Sequence, residues 1–391
     1  MKILLVSRGV FPVPIRHGAG AEAHMYNLAN AIAALGHEVH YVTNIISKEG
    51  FHKNITLHAT KSSPILANKT FYGWTLCHVS GNLESFKEAL RVLKSENYDF
   101  DIIHSHGNLS SLLLSRMKKT VPLIYTAHDP SPYSCRYSSS KETIIHYLAF
   151  HCIDLEAWRG VDHLIVVSQN LKEEMMKKGI SNEKISVVYN GVDNEFLKEN
   201  DYKTSLMILN KYGISNHYCL YVGRLTSRKG VDYLLYAMKK IREIHCVVVG
   251  DGPQREYLFS LTKTIGIQKR VTFTGYVPKE DLKHLYAAAD FLVLPSLAEG
   301  LPLVILEALA TGTPVIASRI AGIPDIISDG YNGIMVPPRD VDALSKSMQK
   351  LACDPELREK MSHNARRTIN EKFSWKNVAK EVLTVYDKVC S

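Results

Sequence analysis

No apolar stretch in these 391 residues approaches the 18 or more that a membrane-spanning helix needs. The longest runs, such as Phe291–Leu294 and Leu303–Leu306, are interrupted well before that. Met1 and a single Lys lead at once into Ile3–Val6 and then Ser7-Arg8-Gly9, which reads as a buried first strand rather than a signal peptide. The cysteines (77, 135, 152, 219, 246, 353 and 390) are odd in number, far apart and without a CxxC. A disulfide framework is therefore not expected, and a reducing cytoplasm suits the chain. His151-Cys152, with His128, Cys135 and His146 nearby, follows no common zinc spacing. No basic stripe carries interleaved aromatics, so nucleic acid is not an expected partner. Internal repeats at a period of about 20–50 residues and low-complexity segments are also lacking.

What remains is an ordinary globular composition, 46% hydrophobic and 22% charged, sufficient for a core of normal size. Net charge is +8, with the excess shared by both halves, compatible with phosphate ligands or an anionic membrane surface but requiring neither. Short β-branched runs alternate with amphipathic helical stretches from end to end. Strands are predicted at Ile3–Ser7, Glu38–Thr43, Ile102–Ser105, Leu123–Thr126, His163–Val167 and Ile185–Tyr189. Helical patterns lie between them at Ala21–Leu35, Glu84–Leu93, Leu109–Met117 and Leu171–Lys178. The alternation restarts with Tyr218–Val222, Cys246–Val249, Val271–Thr274, Phe291–Pro295, Val315–Ser318 and Ile334–Val336. Such alternation means βαβ units and parallel sheets. A single sheet of about twelve strands exceeds the usual limit of about ten. The α/β fold class is therefore two Rossmann-like, doubly wound domains. An N-terminal domain at 1–197 and a C-terminal domain at 198–374 are predicted, with the break in the polar stretch Lys198–Lys203. The last helix, Trp375–Val389, has no strand after it.

Open α/β sheets bind ligands at the carboxyl ends of their strands, and the chemistry-bearing residues cluster there. In Arg16–Glu22, Gly18 and Gly20 allow close backbone approach, and the following helix start offers free N–H groups to an anion. His104-Ser105-His106 and Thr126-Ala127-His128-Asp129 end two strands; His104 reads as a half-buried structural residue, whereas His128 is a candidate to donate to a sugar hydroxyl or phosphate. Arg224 sits just past a strand and Lys229 where a helix begins. A planar fork and a mobile ammonium at the mouth of a cleft suit a diphosphate, while Arg228 reads as solvated. Gly250-Asp251-Gly252-Pro253 is a tight turn at the same edge, which makes Gly252 a ligand-side candidate.

The strongest signal is Pro295–Ala310. Pro302 suits the first helical position, so Glu299 precedes the helix and Glu307 falls in its second turn. At about 1.5 Å rise per residue the two carboxylates are roughly 12 Å apart, the span of a sugar and a ribose joined by a diphosphate. Glu307 lies in an otherwise apolar helix, where an acid needs a hydrogen-bonding partner that ligand hydroxyls supply.

These motifs, in order over nearly the whole chain, resemble the retaining glycosyltransferases of family 4, with the GT-B fold. The match takes in Gly18–Glu22, His104–His106, Thr126–Asp129, Asn190–Asp193, Gly223–Gly230, Gly250–Pro253, Thr274-Gly275, Glu299–Glu307 and Gly312-Thr313-Pro314. The resemblance implies two domains facing a cleft, with the nucleotide sugar on the C-terminal one. Arg224 and Lys229 would grip its diphosphate and Glu307 its ribose. Glu299 would hold sugar hydroxyls, helped by N–H groups around Leu301 and Leu303. Gly20 would approach the phosphate or acceptor, and His128 would face the transferred sugar. It further implies a last helix crossing back to the N-terminal domain, transfer with retention, and no metal. Asp99-Phe100-Asp101 has the form that holds a divalent ion in another glycosyltransferase fold, but it precedes a strand, away from the crevice, and reads as a solvated turn. Ala321 and Asp325 stand where the family often has Gly and Glu.

Two other classes fit the same architecture: a sugar-nucleotide epimerase or related hydrolase, and a non-catalytic sugar-nucleotide-binding protein. The donor nucleoside (uridine, guanosine or adenosine), the sugar, the oligomeric state and the acceptor, whether glycan, lipid-linked or small molecule, stay open. Acceptor contacts are expected from Ile45–Leu83, with Phe71-Tyr72-Gly73-Trp74, and from Asp129–Glu156, with Tyr133, Tyr137, Tyr147 and Phe150. Lys118-Lys119 and Lys177-Lys178 leave a peripheral contact with an anionic membrane open.

Overall fold

The computed structural model describes residues 1–9, 13, 20–45, 47–60, 71–97, 99–117, 120–128, 152–215 and 217–391. The chain forms two compact units, Met1–Asn190 with Trp375–Ser391, and Gly191–Ser374. No helix among the described residues is long and apolar enough to cross a membrane.

The first unit is built on a parallel sheet of seven strands. They are β1 (Lys2–Val6), β2 (Glu38–Thr43), β3 (Ile55–Ala59), β4 (Ile102–Ser105), β5 (Leu123–Ala127), β6 (His163–Val166) and β7 (Ile185–Val187), in the order β3-β2-β1-β4-β5-β6-β7. Because successive side chains of a strand point to opposite faces, Ile3 and Leu5 enter one core with helix Gly20–Ala34. Leu4 and Val6 enter the other, with Ala89 and Val92 of helix Phe71–Ser95. Helix Trp375–Cys390 closes the first of these cores. Its buried Trp375, Val378, Ala379, Val382, Val385 and Tyr386 follow the 3.6-residue period and pack beside helix Gly20–Ala34.

The second unit has a six-stranded parallel sheet of β8 (Tyr218–Val222), β9 (His245–Val249), β10 (Val271–Gly275), β11 (Phe291–Leu294), β12 (Val315–Ser318) and β13 (Gly333–Val336). Their order is β10-β9-β8-β11-β12-β13. In each sheet the winding reverses once, between β1 and β4 and between β8 and β11. These are the switch points at which such sheets open a crevice beyond their strand ends.

Four expectations need correction. The units divide at Asn190 and Gly191, not after residue 197, because the intervening segment is tied to the second unit. Val192 N–H donates to Phe373 C=O at 2.8 Å, Asp193 pairs with Lys279, and Glu195 pairs with Lys283 at 2.6 Å. A thirteenth strand, Ile55–Ala59, extends the first sheet, and the helix expected at Glu84–Leu93 runs from Phe71 to Ser95. Asp99-Phe100-Asp101 is not wholly solvated: Phe100 is buried, and the Asp101 carboxylate accepts the Lys2 N–H at 2.7 Å, anchoring the start of β1.

Candidate active site

In the second unit the site is assembled at the β8/β11 switch point. β8 ends at Val222 and is followed by Gly223 and Arg224, the turn Ser227–Lys229 and helix Val231–Lys240. Gly230 joins turn to helix at φ +62°, and a Cβ there would lie 2.2 Å from the Pro295 carbonyl oxygen; only glycine lets the two segments meet. β11 delivers Pro295–Leu301 from the other side, and Leu297 N–H donates to Arg228 C=O at 2.7 Å. This stitching brings Lys229 Nζ to 2.6 Å from Glu299 Oε1, which also accepts the Ser296 hydroxyl at 2.6 Å. Glu299 is only 6% exposed. Burial alone pushes its carboxyl up, but the Lys229 and Arg228 charges and the two hydrogen bonds outweigh it, so its pKa lies below the usual value and the group is ionised.

Arg224 is exposed at the rim and forms no ion pair among the described residues. Gly252 serves its turn: a Cβ at Gly252 would lie 2.4 Å from the Leu225 carbonyl, and Leu225 N–H donates to Asp251 C=O at 2.9 Å. Its place is thus that of a backbone spacer behind Arg224. Pro302 caps the next helix, which begins at Leu303 rather than at Pro302, so the first-turn N–H of Leu303 has no acceptor within the helix. The Leu301 side chain is buried beside it. Glu307 is part-buried in the second turn. Tyr286 donates to Glu307 Oε2 at 2.9 Å, the one hydrogen bond to this carboxyl among the described residues. Burial pushes Glu307 up to about 7, against the pull of the Tyr286 hydroxyl and Lys279.

The first unit carries a second constellation at its own switch point. His104, entirely buried, holds the Tyr386 hydroxyl on Nδ1 and the Thr126 hydroxyl on Nε2, both at 2.6 Å, and so links the last helix to the sheet as a structural residue. His106 Nδ1 lies 3.0 Å from His128 Nε2. His24 Nδ1 lies 2.8 Å from Asn190 Oδ1. Burial holds His106 and His128 well below the usual imidazole range and His24 down to about 4. Beside them the entirely buried Glu22 pairs with Arg8 at 3.1 Å. Gly20, placed by the sequence in the loop before a helix at Ala21–Leu35, is the first residue of helix Gly20–Ala34. Gly18, Asp129, Lys118-Lys119, Tyr133, Tyr137, Tyr147 and Phe150, with Cys135, His146 and His151, lie outside the described residues, as do the side chains of Phe71–Trp74.

Sequence reasoning gave no role to Ser296, Tyr286, Glu22, His24 and Asn190. Ser296 lies within Pro295–Ala310 and Glu22 within Gly18–Glu22, both already singled out, and His24 falls in the helix opened by the Gly-rich turn. That position at the ligand edge was the available signal. Asn190 opens the turn Asn190–Asp193 that carries part of the resemblance, but nothing local gives it or Tyr286 a role, since they reach their partners from 166 and 21 residues away.

Comparison with known proteins places the chain among sugar-transferring enzymes. Residues 208–368 match the family described as Glycosyl transferases group 1, and residues 18–196 match Glycosyltransferase Family 4. An uncharacterized glycosyltransferase of Methanocaldococcus jannaschii is 31% identical, over 99% of this chain and 98% of that protein. A glycogen synthase of Mycobacterium tuberculosis is 26% identical over 99% and 94%. Among solved structures, sucrose-phosphate synthase from Thermosynechococcus elongatus superposes with a TM-score of 0.80 at 22% identity, covering 99% of this chain and 98% of the other. The Anabaena protein HepE in complex with UDP-glucose gives 0.74 at 19%, covering 99% and 100%.

Proposed function

The chain belongs to the group 1, family 4 glycosyltransferases of the GT-B fold, and from that premise we propose that it moves a hexose-type sugar from a nucleoside-diphosphate sugar to a hydroxyl acceptor, with retention and without a metal. Family membership sets aside the epimerase and the non-catalytic binding reading. The observation that carries the proposal is the buried Lys229–Glu299 pair at the switch point of the second sheet, with exposed Arg224 at its rim and Glu307 one helix turn beyond.

Each group has a role its chemistry supports. Lys229 gives one N–H to Glu299 and keeps two for phosphate oxygens, and Arg224 adds a fork that clamps the diphosphate as it leaves. Glu299, ionised and fixed by Lys229 and Ser296 on Oε1, keeps Oε2 for sugar hydroxyls. Glu307 accepts ribose hydroxyls, and the N–H of Leu303 faces the same ligand from the helix start. His128 is the residue that the family resemblance assigns to the transferred sugar. With both leaving-group charges met by cations, the acceptor attacks from the face the diphosphate leaves, and no carboxylate serves as nucleophile. A trapped glycosyl-Glu299 adduct would overturn that route.

Solved relatives were captured with UDP-glucose and, for starch synthase IV of Arabidopsis thaliana, with ADP, so uridine and adenosine donors lead the test. The free Cys219 and Cys246 accord with a reducing cytoplasm. Thermal shift and donor hydrolysis with uridine, guanosine and adenosine diphospho-sugars, in EDTA and in Mg2+, compare wild type with Glu307→Ala. One donor is expected to stabilise the wild type equally in EDTA and to lose that shift in the variant. Stabilisation by no nucleotide sugar would end the donor-site reading; a shift seen in Mg2+ alone would end metal independence.

A further inference from the structure

We infer that His24, His106 and His128 form a three-imidazole site for a divalent transition cation of the zinc class at the carboxyl edge of the N-terminal sheet. One ring nitrogen from each lies within 4.8 Å of those of the other two. Among the described residues no other trio of His, Cys, Asp or Glu brings its ligand atoms so close. Metal–nitrogen bonds of about 2.0–2.1 Å put tetrahedral donors roughly 3.4 Å apart, so modest ring rotations close the set.

Three features favour ligation over a plain histidine cluster. The rings come from three elements of one unit: His24 from helix Gly20–Ala34, His106 from the end of β4 and His128 from the end of β5. With Asn190 Oδ1 as acceptor, His24 carries its proton on Nδ1 and presents the Nε2 lone pair, the outer hydrogen bond by which metal-bound histidines are oriented. His106 Nε2 is buried without a partner, so the ring proton can sit there and leave the Nδ1 lone pair to a cation, at the expense of the one hydrogen bond that Nδ1 makes with His128 Nε2. The cation then replaces the proton shared by His106 and His128. The one cation whose charge reaches His106 and His128, Arg8, is paired with the buried Glu22 at 3.1 Å. His128 is part-exposed, which gives entry and leaves a fourth position for water. Occupancy withdraws His128 from the donor sugar and opposes transfer. That consequence rests on the function proposed above, while binding itself does not.

Cobalt(II) titrated into the full chain at pH 7.5 provides the test. The wild type is expected to develop tetrahedral-type visible bands at one equivalent, displaced by Zn2+ and insensitive to Mg2+. His24→Gln and His106→Gln should each weaken binding at least about tenfold. His40→Gln, at the separate His40–His58 pair, should leave the bands intact. Failure of the wild type to bind one equivalent at tens of micromolar cobalt overturns the proposal whatever the variants do. So does persistence of the bands in a folded His24→Gln/His106→Gln protein. Zn2+ binding without inhibition of transfer would overturn only the assignment of His128 to the sugar.

Discussion

At the scale of single residues, Glu307 ties stability and ligand affinity to pH. Its folded pKa of about 7 stands above the ordinary carboxyl value of 4.5, so the folded state holds this proton over a window in which the unfolded chain has lost it. Its stabilising contribution is complete below 4.5 and is lost as pH rises to about 7. Full burial sets an upper bound of roughly 3 kcal/mol, and partial exposure brings the expected loss to about half of that. Glu307→Gln should flatten this slope in urea unfolding measured from pH 5 to 8. Ribose hydroxyls favour the ionised carboxylate, so nucleotide affinity in the wild type should rise about tenfold from pH 6 to 8 and stay level in the variant. Ala321 is a second case. It stands at φ +44°, in the left-handed region, at a position where the family resemblance leads one to expect glycine. Ala321→Gly relieves about 1–2 kcal/mol of strain and returns part of it as unfolded-chain entropy, so calorimetry should show Tm raised by about 1–3 °C. An unchanged or lower Tm would mean that Ala321 is held there without strain.

Within elements, glycines decide how closely loops approach, and this is where the sequence was only half legible. The run Gly223–Gly230 announced a turn bearing Arg224 and Lys229, but its closeness to Pro295 is a tertiary fact. In Gly230→Ala the new Cβ meets a backbone carbonyl that cannot rotate away, so the turn bearing Lys229 and the loop bearing Glu299 must part. The expected loss is about 2–4 kcal/mol in the urea midpoint, together with weaker nucleotide binding. Retention of both values would show that the Lys229–Glu299 contact tolerates a wider spacing. The buried strands were readable because continuous β-branched runs such as Val247–Val249 have no other use. β3 was not, since at the sheet edge Ile55–Ala59 is only half-buried and lacks an apolar run. Helix Phe71–Ser95 hid its first half behind Gly73 and Gly81. Gly81 is present for packing, because a Cβ there would lie 2.8 Å from the Gly9 carbonyl oxygen.

For the whole molecule, alternation along the chain was enough to predict two doubly wound sheets, whereas the return of the last helix to the first unit was foreseen only from the family resemblance. The exact seam was hidden, because Asp193 and Glu195 declare their unit only through Lys279 and Lys283. The first unit is therefore discontinuous in sequence, and its last helix is a structural part of it. Trp375, Val378, Val382 and Tyr386 are buried in a core shared with β1 and β2, and Tyr386 supplies the hydrogen bond to His104. At about 1.5–3 kcal/mol per large buried side chain, removing residues 375–391 takes away as much as the roughly 5–15 kcal/mol that hold a domain folded. The second unit keeps its entire sheet and core within Gly191–Ser374. Calorimetry on a chain ending at Ser374 should therefore show the transition of the second unit alone. The first unit should be susceptible to protease, and nucleotide binding through Lys229, Glu299 and Glu307 should be weakened rather than abolished. Two intact transitions in the truncated chain would show that the N-terminal sheet closes its core without this helix.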